Sequence, residues 1–161
     1  MTENSDRVLS RRSAFAALGA TTLVAASGAA AQAATMSTVE EANLKLCEAA
    51  IASRSGDSQK LAGYLADDCV LRLEDAKQTI VGKQNISSVF QDFSALAEMT
   101  AKTQGSLAKG SLVVIHRNDT ILYKDAAAPA KTFVVAGVFT VEGGKIQQWV
   151  DVVVDTKNVG V

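Results

Sequence analysis

Four long runs in the two-residue period of β-structure occupy the second half of the chain, Met99 to Ala108, Ser111 to Lys124, Lys131 to Val141 and Lys145 to Asp155, with Gly143 and Gly144 in a tight hairpin. Ahead of them lie helical patterns. "TVEEANLKLCEAAIASRSGD" sets Val39, Ala42, Leu46, Cys47, Ala50 and Ile51 at helical spacing, with Thr38 and Glu41 as a capping box and Gly56 as the stop. "DSQKLAGYLADD" reads as a second, short helix opened by Asp57 or Ser58, with Leu61, Tyr64 and Leu65 on its buried side. "CVLRLE" and "TIVG" are short strands, and "GKQNISSVFQDFSALAE" is a third helix with Ile86, Val89, Phe90, Phe93 and Leu96 along one face. Helices followed by an antiparallel meander form the α+β pattern. The expected fold is a cone-shaped, strongly curved mixed/antiparallel β-sheet, with three N-terminal helices enclosing a pocket.

Two strands break the ordinary rule for a buried face. In "SLVVIHRNDTILY" the alternation puts Val113, Ile115, Arg117, Asp119, Ile121 and Tyr123 on one side, so an arginine and an aspartate stand among aliphatic residues. In "KIQQWVDVVVD" Trp149, Asp151 and Val153 share a face, while Ile146, Gln148, Val150 and Val152 take the other. A lone buried carboxylate is expensive, and an arginine between two of them holds both. With Arg117 between Asp119 and Asp151, full ionisation leaves one excess negative charge, so the two carboxyls are expected to share a proton. One then serves as acid and the other as base. The same three residues would equally serve as a structural ion network in a non-catalytic ligand-binding module.

Residues 1–33 are set aside as an export signal. They join the arginine pair of "SRRSAF" to an Ala/Gly-rich apolar run and an "AQA" cleavage site, a combination that favours the twin-arginine route and a periplasmic location. The run is too short to imply stable membrane insertion after cleavage. The remaining residues, 34–161, suit a single domain. Taking Arg7, Arg11, Arg12, Glu3 and Asp6 from the totals leaves 13 basic and 15 acidic side chains, a net charge of −2 with no basic cluster, so nucleic acid is not an expected partner. Cys47 and Cys69 are the only cysteines, and neither has Cys or His at metal-ligand spacing. Both read as small buried apolar side chains, with a disulfide permitted by the compartment. No cofactor or metal motif is present.

"LVVIHRNDT", "VVAGVFTVEGGKIQQWVDVVVD" and the three-helix layout before them resemble the limonene-1,2-epoxide hydrolase family, within the nuclear transport factor 2-like and SnoaL-like superfamily. The resemblance spans most of residues 34–161. It implies that Asp151 activates water, Asp119 protonates an epoxide oxygen and Arg117 bridges them, giving a diol without a covalent intermediate. It also implies a homodimer. The family places a tyrosine and an asparagine two residues apart on its first strand to hold the water, and the matching positions here are Leu71 and Leu73. That departure opens a second reading as a lyase, dehydratase or isomerase of the same superfamily, including lyases that release formaldehyde from lignin-derived aromatics, because elimination or isomerisation needs no attacking water. Leu71, Leu73, Phe90, Phe93, Tyr123 and Trp149 are the residues expected against a small hydrophobic substrate.

Overall fold

The computed structural model describes residues 36–154. The export signal read over residues 1–33, and the end of the last strand at Asp155, lie outside the described residues. Nine elements follow in order: α1 (Thr38–Ala52), α2 (Ser58–Tyr64), β1 (Leu65–Leu73), β2 (Gln78–Val81), α3 (Lys83–Leu96), β3 (Ala97–Lys109), β4 (Leu112–Tyr123), β5 (Lys131–Glu142) and β6 (Lys145–Val153). The fold is α+β, as the pattern predicts. One six-stranded mixed sheet runs β2-β1-β6-β5-β4-β3, with β1 and β6 parallel and every other pair antiparallel. The sheet does not close, since β2 and β3 are its two edges.

Helix α1 starts one residue earlier than its sequence suggests. The capping box is Ser37 with Glu40 rather than Thr38 with Glu41: the Glu40 backbone N–H donates to Ser37 Oγ, and the Ser37 N–H donates to Glu40 Oε2 at 2.8 Å. A tertiary bond selects this register. Glu40 Oε1 also accepts from the Gly110 N–H at 2.9 Å, tying the helix start to the β3–β4 turn. The backbone donors of Gly110 and then Ser37 hold the Glu40 carboxyl down at about 2. The helix ends at Ala52, four residues before the expected stop at Gly56, where the Arg54 N–H and its Nε both donate to the Ile51 carbonyl in a tighter three-residue turn. Helix α2 is capped by Asp57, which accepts from the Lys60 N–H, and "LADD" passes into β1 instead of extending the helix. On α3, Ile86 and Phe90 are buried as expected, but Leu96 is 69% exposed where the chain turns into β3.

One correction concerns the face of β6. Ile146 is fully buried with Trp149 rather than opposite it. Val141 pairs with Ile146 and Thr140 with Gln148, so Gln147 is a bulge residue and alternation restarts beyond it. Trp149 sits at the centre of the core, its ring 5.8 Å from Phe90 and 5.1 Å from Phe139, bringing α3, β5 and β6 together. Burying one such side chain contributes roughly 2–3 kcal/mol, and each aromatic pair about 1 kcal/mol more. Cys47 and Cys69 are buried, unpaired members of this core, and burial pushes both thiols up to about 12. No helix among the described residues is long and apolar enough to cross a membrane.

Candidate active site

The alternation of β4 holds: Val113, Ile115, Arg117 and Asp119 are all buried. Arg117 is wholly excluded from solvent and Asp119 is 5% exposed. On β6, Trp149 and Asp151 face the same side of the sheet. Strand order then does the rest, because β5 lies between β6 and β4 with Gly137 opposite Asp151 and Val135 opposite Arg117. A glycine is required there. A Cβ on Gly137 would lie 2.9 Å from the Phe139 ring and 3.0 Å from Asp151 Oδ1, and would collide with Arg117 Nη1. The bare backbone lets the Arg117 guanidinium cross β5 and reach Asp151.

Arg117 bridges the two carboxylates as the sequence suggested. Its Nη2 donates to Asp151 Oδ2 at 2.6 Å, and its Nε donates to Asp119 Oδ1 at 3.0 Å and Oδ2 at 3.2 Å. Asp151 Oδ1 accepts from Trp149 Nε1 at 2.8 Å, so the tryptophan fixes the carboxylate plane from its own strand. The two aspartate charges raise the Arg117 pKa even against burial, which alone would lower it.

A fourth member escapes the sequence reading. Arg54, just past the end of α1, is 4% exposed and makes a bidentate pair with Asp119: Nη1 donates to Oδ2 at 2.8 Å and Nη2 to Oδ1 at 2.9 Å. Its Nε donates to the Ile51 carbonyl, which orients the fork, and its guanidinium carbon lies 6.0 Å from the Trp149 ring centre. A signal for it existed. Cys47, Ala50, Ile51 and Arg54 continue one buried helical stripe, the same charge-on-an-apolar-face pattern that singled out Arg117.

Arg54 changes the charge balance. Two guanidiniums now face two carboxylates, so the excess negative charge that argued for a shared proton is absent. Burial alone would raise the Asp119 carboxyl, but hydrogen bonds and charge from Arg54, then from Arg117, outweigh it and hold the group below the usual carboxylate range. Asp119 is thus an anchored anion.

The network forms the floor of a cavity of about 290 Å³ between the helices and the sheet. Arg54, Asp119 and Asp151 reach it, among walls that include Leu73, Phe90, Phe93, Phe133 and Val153. A wider groove of about 620 Å³ between α2 and α3, with Ser58, Lys83 and Gln91 on its walls, touches no member of the network, so chemistry points to the smaller space. Of the residues expected against a substrate, Leu73, Phe90 and Phe93 line the cavity. Leu71, Trp149 and Tyr123 do not. Leu71 is fully buried core opposite Trp149, Trp149 acts behind the wall through Asp151, and half-buried Tyr123 lies near the end of β4 beneath Lys131. Leu73 pairs in register with Asp151, so the neighbour of that carboxylate on β1 is apolar.

A model of the SnoaL-like domain matches residues 46–149, taking in Arg54, Arg117 and Asp119 and ending two residues before Asp151. The chain is similar to an LEH-like epoxide hydrolase from M. tuberculosis, at 22% identity and a TM-score of 0.64 over 71% of this chain and 84% of that one. It is similar to a candidate SnoaL-like polyketide cyclase from Shewanella denitrificans OS-217, at 17% identity and a TM-score of 0.64 over 73% and 93%. It is also similar to a ketosteroid isomerase-like protein from Catenulispora acidiphila DSM 44928, solved with trimethylamine, at 18% identity and a TM-score of 0.61 over 67% and 84%. No curated protein sequence matches the chain. At these identities the structural likenesses speak for the fold alone.

Proposed function

The chain belongs to the SnoaL-like domain family, of nuclear transport factor 2-like fold, and on that premise we propose that it is an isomerase or lyase that removes a proton from carbon in a small apolar substrate, with Asp151 as the base. The observation that carries this is the contrast between the two carboxylates. Asp119 is clamped by two arginines and held ionised, which suits an anchor and not a proton donor. Asp151 accepts one hydrogen bond on each oxygen and opens onto apolar walls, beside Leu73 where a water-orienting side chain would stand in the resembled family.

In this reaction Asp151 takes the proton from a carbon next to an electron-withdrawing group. The electron pair left on carbon moves onto that group, and the cycle closes by return of the proton to another carbon, or by return of the pair to expel a leaving group that carries the proton away from Asp151. Arg54 commits three of its five N–H groups to Asp119 and to the Ile51 carbonyl, so two remain to meet a developing oxyanion at the cavity wall. Arg117 fixes the distance between base and anchor.

Epoxide hydrolysis is the second reading, favoured by Arg117 bridging two aspartates and by the Trp149 bond to Asp151. One experiment separates the two. The protein is incubated with an apolar β,γ-unsaturated ketone in heavy water and with styrene oxide in oxygen-18 water. Conversion to the conjugated ketone, or deuterium entering its α or γ carbon, either one lost in Asp151→Asn, supports proton abstraction; labelled diol from the epoxide would replace it with hydrolysis. If neither substrate, nor any in a broader panel of such compounds, turns over, the family's non-catalytic alternative gains.

Export to the periplasm and a homodimer belong to the same proposal. The outer sheet face, with Leu112, Leu122 and Val152 exposed, supports the dimer. Sedimentation at single-chain mass would count against it, as cytoplasmic retention of the full chain would count against export.

A further inference from the structure

We infer that Asp75 orients the substrate at the outer end of the cavity, so that the protein selects a molecule carrying a hydrogen-bond donor, hydroxyl or ammonium, opposite its reacting carbon and turns away carboxylates. This rests on the reading that the 290 Å³ cavity is the substrate site.

The turn after β1 is stitched to the strand that carries the base. The Glu74 N–H donates to the Asp151 carbonyl at 3.0 Å, and the Val153 N–H donates to Asp75 Oδ2 at 2.7 Å. The turn closes with the Lys77 N–H on the Glu74 carbonyl, and Lys77 adopts a φ of 49°, a left-handed backbone uncommon for a residue with a side chain. These bonds fix where the Asp75 carboxylate stands, with one oxygen engaged by backbone and the other without a partner among the described residues. Asp75 is exposed, yet it forms part of the cavity wall. Glu74 beside it pairs with Arg72, whereas among the described residues no salt bridge involves Asp75.

Charge sets the sign of the selection. The charged side chains on the cavity wall are Arg54, Asp75, Asp119 and Asp151. Arg54 and Arg117 together balance Asp119 and Asp151, which leaves Asp75 as the uncompensated charge among the described residues of the cavity wall. Its backbone tether, the Val153 N–H, sets it along the strand from the base. Val153 is two residues beyond Asp151, about 7 Å along β6. That separation matches a single aromatic ring bearing its reacting carbon at one end and its donor at the other, with Phe90 and Phe93 flanking the ring.

Binding of 4-methylbenzyl alcohol, 4-methylbenzylamine and 4-methylbenzoate at neutral pH, followed by NMR titration of the full chain, tests this. The alcohol and the amine should bind at least about fivefold more tightly than the carboxylate, the scale of one partly screened charge at close range. Asp75→Asn keeps an acceptor for the Val153 N–H and should shrink the amine-to-carboxylate ratio severalfold. Added salt should shrink the same ratio in the unmodified protein, which gives a second readout should the variant fold poorly. Equal binding of alcohol and carboxylate, or a ratio unchanged in a folded Asp75→Asn variant, would overturn the assignment. Selection preserved with no turnover would sink the catalytic reading and leave this one standing; turnover without selection would do the reverse.

Discussion

Asp119 and Asp151 face the same side of one sheet, two strands apart, and are bridged by one arginine, yet they occupy different chemical worlds. Around Asp119 the end of α1 contributes a second guanidinium, and the carboxylate sits in a cradle of ionic hydrogen bonds. Around Asp151 the contributors are an indole N–H and the far end of Arg117, and the surroundings beyond are apolar. The difference teaches that role follows from neighbours and not from residue type. A carboxylate saturated with cationic donors fixes geometry, whereas one with outer lone pairs facing an apolar-walled pocket can move a proton.

The largest expected effect comes from removing the free carboxylate. Asp151→Asn should lower turnover by roughly 10³-fold or more, within the range that a positioned general base supplies, while circular dichroism stays native. Comparable turnover in the variant would erase the distinction between the two aspartates. On the anchored side the expected loss is in stability. Arg54→Ala strips a bidentate partner from a buried carboxylate and should cost about 3–5 kcal/mol in urea unfolding, the scale of a broken buried ion pair. A loss below about 1 kcal/mol would mean that Arg117 alone suffices.

Gly137→Ala probes the link between the two sides. The added methyl competes with Arg117 and Asp151 for space and should cost about 1–3 kcal/mol, with turnover falling further than stability explains, because the bridge is displaced. The smallest effect is on acid stability. Asp119 and Glu40 both have depressed folded pKa values, so the stability they contribute is complete above the ordinary carboxylate range near 4 and is lost as pH falls through it toward about 2, the Glu40 value. Melting temperature should therefore drop between pH 5 and about 2.5, and Glu40→Gln should flatten part of that slope. A flat profile in the parent protein would contradict both assignments.

Much of this was legible in the chain. Strict alternation made the buried faces of β4 and of β6 from Trp149 onward readable, and a charge on a buried face is conspicuous because it is costly. Arg54 carried the same signal in line with Cys47, Ala50 and Ile51, but a basic residue near a helix C-terminus is common because it complements the helix dipole, which masks its burial. Period-two alternation puts Ile146 on the opposite face because a bulge at Gln147 leaves no trace in that pattern. The capping register of α1 was set by Gly110, seventy residues away, a partner that no local motif contains. Asp75 stands in the turn after β1, where sequence cannot separate a pocket-mouth carboxylate from a solvated one, and the bond to Val153 holds it at the cavity wall.

The division between anchor and base is tested most directly by following the carboxyl carbons of Asp119 and Asp151 through a pH titration with carbon-13 NMR. Asp119 should titrate alone and below 3.8, its ordinary value, and Arg54→Met should move it upward. A single transition shared by both carboxyls, or an Asp119 midpoint above 3.8, would contradict the division and restore a proton-sharing pair.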